Sequence, residues 1–337
     1  MPKFLTLLDI QKKNGTSKDV AMIDEIMMTA PEVTSVSSRT IAGTTAKTYI
    51  RTGVPRVGFR MPNAPADYVA STYEVRTLEL FSMSTLVFVD DLILEASVDG
   101  PASVMSAETI GVAQGCALSL GSQMFYGKRI DKDGFPGLYE FIDDSMLMSA
   151  NEAKKDTEEG TSVYAIVEGP RGVQWYYGNG SGMKLGPWAD KELPRKLENG
   201  EIGSVPGKGA KLNSWVAIVN HSKLTAARLK NIGDAEGTTL DDDKIADLLM
   251  RFPSGIKPTK LIMNRKALNQ LRKSRQIVAA SVNGGSVGGG SITTAPIPTD
   301  AFGIPILVTD SILDNESDLS SIKGISHYGQ KPQGKIK

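Results

Sequence analysis

Few residues in this chain are able to carry chemistry. Its 337 residues include two histidines, His221 and His327, and one cysteine, Cys116. A zinc site of His/Cys type needs more ligands than these supply. A single cysteine also excludes an internal disulfide framework. Gln114-Gly115-Cys116 superficially matches a cysteine nucleophile, but it lies within a helical pattern and has no partner signature. Gly203-Ser-Val-Pro-Gly-Lys-Gly209 falls one residue short of a phosphate-binding loop, and no Ser or Thr follows its lysine. Asp131-Lys-Asp133-Gly134 begins like a calcium loop, but Ile142 stands where a bidentate glutamate is required. Gly178-Asn-Gly-Ser-Gly182 lacks the order of a nucleophile elbow. An enzyme reading is left with carboxylates such as Asp143 or Asp241, acting in a cytoplasmic hydrolase. Asp241, Asp242 and Asp243 read better as a helix start, where the dipole favours acids. No catalytic set, cofactor site or metal site is expected.

Composition narrows the classes further. Lys+Arg and Asp+Glu are both 38, so the net charge is zero. A dedicated nucleic-acid binder usually carries a basic excess. The basic run Arg265, Lys266, Arg272, Lys273, Arg275 is read first as a solvated helix face, with non-specific nucleic-acid contact as the lesser option. No run of ~18 apolar residues is present, so no membrane span is expected. The start, MPKFLTLLDIQKKNG, turns polar too soon for a secretory signal. Zero net charge keeps a free monomer poorly soluble, which favours a protein that ends in an assembly.

The elements around these residues have a distinctive order. Two short amphipathic helices are expected at 4–12 and from Ser17 to just before Pro31. From Val33 to Val89 the helical period disappears. Strand-like arms at 47–52 and 73–83 flank a turn-rich tip at 61–66. This extended hairpin has few large apolar residues for its length, so it is expected to project rather than form a core.

Charge within the hairpin is segregated. Arg39, Lys47, Arg51, Arg56 and Arg60 occupy the first arm with no acid among them. Asp67, Glu74, Glu79, Asp90, Asp91, Glu95 and Asp99 follow, against Arg76 alone. Either the arms pair across the hairpin, or some of these charges face a neighbouring subunit.

A single long helix is expected over 101–127. Pro101 suits its first turn, Ser103 or Ser106 could cap it, and Gly127 stops it. Ile110, Ala113, Ala117, Leu120 and Met124 share one face. Gly111, Gly115 and Gly121 each cost ~1 kcal/mol against Ala in a helix interior, so close packing of another backbone is expected along this spine. Beyond a loop at 131–137 comes an α/β region. Its expected strands lie at 162–167, 173–177, 215–219, 258–263 and 304–308, and its helices at 241–252 and 265–274. A long surface excursion spans 184–211, and a flexible glycine-rich loop spans 281–291.

Several stretches in this order resemble the tailed-bacteriophage major capsid proteins of the Hong-Kong-97-type fold. They are LTLLDI at 5–10, TGVPRVGFR at 52–60, FYG at 125–127 with GFPGL at 134–138, and SVYAIV at 162–167 with VQWYYG at 173–178. The resemblance implies an α+β capsid fold: an N-terminal arm (1–35), an E-loop hairpin (36–90) lying across a neighbour, and a spine helix with part of the peripheral domain (91–137). It further implies a mainly axial domain with returning peripheral strands (138–325) and a short tail (326–337). The implied function is a shell protein that forms pentamers and hexamers around the phage genome. The implied partners are itself, a portal, a separate scaffolding protein, and packaged DNA by non-specific contact only. The shell would belong to the virion and assemble in the host cytoplasm. The expected inter-subunit contacts are Arg39, Lys47, Arg51, Arg56, Arg60, Glu74, Arg76 and Glu79, with Gly111, Gly115 and Gly121 in spine packing.

Overall fold

Pro31 opens a short helix of its own. In the computed structural model, which describes residues 30–179, 182–196, 202–282 and 295–320, helix α1 runs Pro31–Ser35 with its proline in the first turn. Nearly all of the expected N-terminal helices, most of the glycine-rich stretch, His327 and the tail lie outside the described residues.

The hairpin is present but shorter than expected. After β1 (Ser38–Thr40), strands β2 (Thr45–Gly53) and β3 (Thr72–Glu79) pair antiparallel from Thr45↔Glu79 to Gly53↔Thr72. The second arm does not continue to residue 90. After Leu80 the chain enters β4 (Phe81–Asp90), which leaves the hairpin for a larger sheet. Val87 and Val89 explain the departure, since both are buried and only a packed sheet can cover them.

Asp90 caps the short α2 (Asp91–Glu95) by accepting from Leu92 N at 2.9 Å. The spine α3 then runs Pro101–Tyr126. Its N-cap is Gly100, not Ser103 or Ser106, and Gly127 ends it at φ 54°. A Cβ on Gly127 would strike the backbone of Gly137, just ahead of α4 (Leu138–Phe141). Residues 120–127 are all buried.

The remaining strands build two sheets. They are β5 (Leu147–Ser149), β6 (Thr161–Ile166), β7 (Val173–Tyr177), β8 (Lys184–Leu185), β9 (Ala189–Lys196), β10 (Ile202–Asn220) and β11 (Ala226–Ile232). Helix α5 (Asp242–Met250), β12 (Lys260–Met263), α6 (Arg265–Val282), β13 (Asp300–Ala301) and β14 (Ile304–Val308) complete them. The first sheet has the order β1-β7-β10-β4, with β8 and β9 also on β10. The expected surface excursion is thus a β9–β10 ribbon, in which Ala189 lies opposite Gly209 and Lys196 opposite Ile202. The second sheet has the order β13-β14-β12-β6-β11-β5.

One core joins the buried end of α3 to both sheets through Met124, Phe125, Leu138, Tyr164, Trp175 and Ile218. Phe125 and Tyr164 meet at 5.0 Å between ring centroids. A second core lies between the second sheet and α5 and α6, including Leu229, Ile245, Leu248, Leu261 and Leu271.

At the join of the cores, Arg228 of β11 is buried among acceptors. It pairs with Glu316 at 2.5 Å and Glu158 at 3.4 Å, donates to Ser162 Oγ at 3.0 Å, and lies 4.7 Å from the Tyr139 ring centre. Glu316 also accepts from Tyr126 and Ser162. Burial, then the nearby Glu316 charge, pushes the Tyr126 phenol well above its ordinary value, so it stays a neutral donor.

Candidate inter-subunit surface

Strand alternation sorts the hairpin residues into two faces. Directly opposed residues share a face, so Lys47, Tyr49, Arg51, Tyr73, Val75 and Glu79 lie on one side. The other side holds Ala46, Thr48, Ile50, Glu74, Arg76 and Leu78. The first face is open to solvent: Tyr49 is 72% exposed, and Tyr73 and Val75 are exposed too. At the tip, Val57, Phe59, Met61 and Tyr68 are also exposed. These exposed apolar groups are the candidate binding surface of the hairpin.

The hairpin charges do not satisfy each other. Among the described residues, Lys47, Arg51, Arg56, Arg60, Glu74 and Glu79 form no ion pair within the chain. Arg51 instead donates to Tyr73 Oη at 3.2 Å, with its guanidinium 5.5 Å from that ring's centre. Of the expected contact residues, the structure brings Arg39 and Arg76 near one group, His221, at the hairpin base. Its Nε2 lies 3.2 Å from Tyr176 Oη. Burial, then Arg39 and Arg76, holds the imidazole below its ordinary value.

The spine glycines divide. Gly121 is tight: an added Cβ would overlap the Glu32 carboxyl and the Ser311 hydroxyl. Gly111 and Gly115 are open within the described chain, because a Cβ there would meet nothing within 4 Å. Ile110, expected on the buried face, is 53% exposed, while Leu120 and Met124 are buried. The first half of α3 therefore presents an open face whose sole charged residue is Glu108. Thermal unfolding separates the two kinds of glycine. Gly121→Ala is expected to cost ~1–3 kcal/mol by overpacking. Gly115→Leu should leave the subunit no less stable, since Leu is the better helix former by somewhat under ~1 kcal/mol.

The carboxylates of the enzyme reading have structural partners. Asp241 accepts from Lys244 N at 2.8 Å, capping α5, and also pairs with Lys244 Nζ. Asp143 pairs with Lys223 and accepts from Ser145. Neither lines the polar clefts beside Glu159 and Asp314 or beside Arg129 and Glu158. Among the described residues no group of three or more His, Cys, Asp or Glu converges to hold a metal ion.

No protein-family model matches the chain, and neither does any curated protein. Solved structures do. A chain of the bacteriophage Epsilon15 structure is 17% identical with a TM-score of 0.61, and the match covers 93% of this chain and 96% of that one. The bacteriophage JBD30 capsid is a weaker likeness, at 10% identity and a TM-score of 0.49 over 88% of this chain and 96% of that one. The chain has the α+β fold of the Epsilon15 protein, a Hong-Kong-97-type phage capsid fold with its long helix at Pro101–Tyr126.

Proposed function

We propose that this chain is a major capsid protein, self-assembling into pentamers and hexamers that close an icosahedral head around a phage genome. The observation that carries this reading is the β2–β3 hairpin, whose exposed aromatic residues and unpaired charges have no use in an isolated subunit. On this reading Lys47, Arg51, Arg56, Arg60, Glu74 and Glu79 meet adjacent subunits, with Arg39 and Arg76 at the hairpin root. The open half of α3 is a complementary receiving surface. It follows directly on the acids Asp90, Asp91, Glu95 and Asp99, and no Lys or Arg occurs from residue 77 to residue 127. Residues 1–35 are then the arm, 41–80 the E-loop, and most of 138–325 the axial domain. A separate scaffolding protein and a portal are the further partners, and the shell assembles in the host cytoplasm.

DNA contact is non-specific on this reading. The basic residues of α6 are largely neutralised within the chain: Arg265 by Asp310, Lys266 by Asp234, and Arg275 by Asp242. No described helix is long and apolar enough to cross a membrane. The hydrolase alternative finds no support, since its carboxylates are a helix cap and a surface ion pair.

Sedimentation velocity tests the reading. Wild-type protein should form large particles or capsomers, with or without added scaffold. Gly115→Leu should yield folded but unassembled subunits if a neighbour covers that face. A wild-type species that stays at monomer mass at every concentration would overturn the proposal.

A further inference from the structure

Glu32 is a fully buried carboxyl group that pairs with no cation among the described residues. It sits in α1, and its side chain fills the space that the missing side chain of Gly121 leaves beside α3. One oxygen, Oε1, accepts from Ser311 Oγ, while Oε2 is buried and meets no hydrogen-bond partner. Its backbone carbonyl accepts from Trp175 Nε1 at 3.3 Å. Glu316 provides the contrast: it is equally buried, but Arg228, Ser162 and Tyr126 all donate to it.

The groups around Glu32 come from each element packed on it. The segment after β14 offers Thr309, Asp310 and Ser311, and Asp310 is itself tied to Arg265 at 2.7 Å. From α3 comes Gly121, which brings no charge. Lys260 of β12 donates to Ser35 O and pairs with Glu168 at 2.6 Å, so its charge is committed elsewhere. An ionised carboxylate in this place would have the Ser311 and Thr309 hydroxyls, its own backbone N–H and a like charge nearby, but no cation among the described residues, and burying a charge so poorly compensated costs several kcal/mol.

We infer that Glu32 is a proton-controlled latch: as a neutral acid it fastens the root of the N-terminal arm to the body, and its ionisation releases that root. Burial raises the carboxyl above its ordinary value, the Ser311 and Thr309 hydroxyls pull it partly back, and Asp310 raises it again. The sign follows from linkage. A group whose folded value lies above its unfolded value gives stability that is complete below the unfolded value and is lost as pH rises through the folded one. Acid therefore docks the root, α1, and rising pH frees it. This goes beyond the shell reading and holds whether or not particles form.

Hydrogen exchange of the full chain tests it, read as protection factors from about pH 5 to about pH 9. The reporter is Val36 N–H, which donates to Glu32 O at 3.3 Å. In wild type its protection should fall by up to about tenfold per pH unit between the ordinary carboxyl value and the folded value of Glu32 and level off above it, while β6 amides stay protected. Glu32→Gln keeps the shape and removes the proton, so its Val36 protection should not change with pH. Flat protection in wild type, or an equal fall in Glu32→Gln, overturns the proposal. Should Glu32→Gln fail to fold, infrared titration of the wild type decides. One carboxylic C=O band must persist above the pH at which exposed glutamates ionise, and its absence overturns the latch.

Discussion

Arg228→Ala is expected to destabilise the subunit by ~3–5 kcal/mol, the cost of leaving a buried charge without its partner. This is a large part of the ~5–15 kcal/mol that holds a typical domain together. Arg228 is 2% exposed and, among the described residues, is the sole cation that pairs with Glu316, itself buried. Glu316 begins the 3₁₀ turn Glu316–Ser320, and Glu316 N donates to Gly160 O at 2.8 Å. Losing the arginine thus weakens the attachment of the last described segment as well as the β6–β11 pairing. Chemical denaturation measures the loss. Arg228→Met combined with Glu316→Gln should cost less than the sum of the two single changes, because the double variant leaves no unpaired charge between them. Strict additivity would show that the pair does not act as a unit.

The second large effect concerns assembly and spares the fold. Glu74→Lys with Glu79→Lys should leave subunit stability within ~0.5 kcal/mol, because both residues are exposed and form no ion pair within the chain. Particle yield should nevertheless fall sharply. Each exposed contact is worth only ~0–1 kcal/mol, but the change repeats at every interface of the shell. The same contacts should weaken with salt, as the screening length drops from ~8 Å at physiological strength to ~3 Å at 1 M. Hydrogen exchange adds an independent check. A two-stranded ribbon is marginally stable alone, so residues 45–79 should exchange quickly in the free subunit and slowly in the shell. Equal protection in both states would mean that the hairpin is ordered by its own chain.

Much of the architecture could be read from the residues. Alternation marked both hairpin arms, and the 3.6-residue period with Pro101 and Gly127 bounded the spine within a residue of its observed ends. What escaped was set by contacts distant in sequence. Strand β11 reads AARLKNI, and its Arg228, Lys230 and Asn231 disguise a strand that is buried at all seven positions. The arginine is tolerated there only because Glu158 and Glu316 arrive from residues far along the chain. The spine glycines look alike in sequence. Residues 32 and 311 decide that Gly121 is tight, and nothing local separates it from Gly111 or Gly115. The hairpin charges were legible as a segregated pattern, but only the folded strands showed that they leave each other unpaired.

Electron microscopy of the purified, full-length protein tests the central claim most directly. The shell reading predicts closed particles or isolated five- and six-membered rings, with the β2–β3 hairpin of each subunit laid across its neighbour. Dispersed single subunits at high concentration, with scaffold supplied and the hairpin folded back on its own chain, would contradict it.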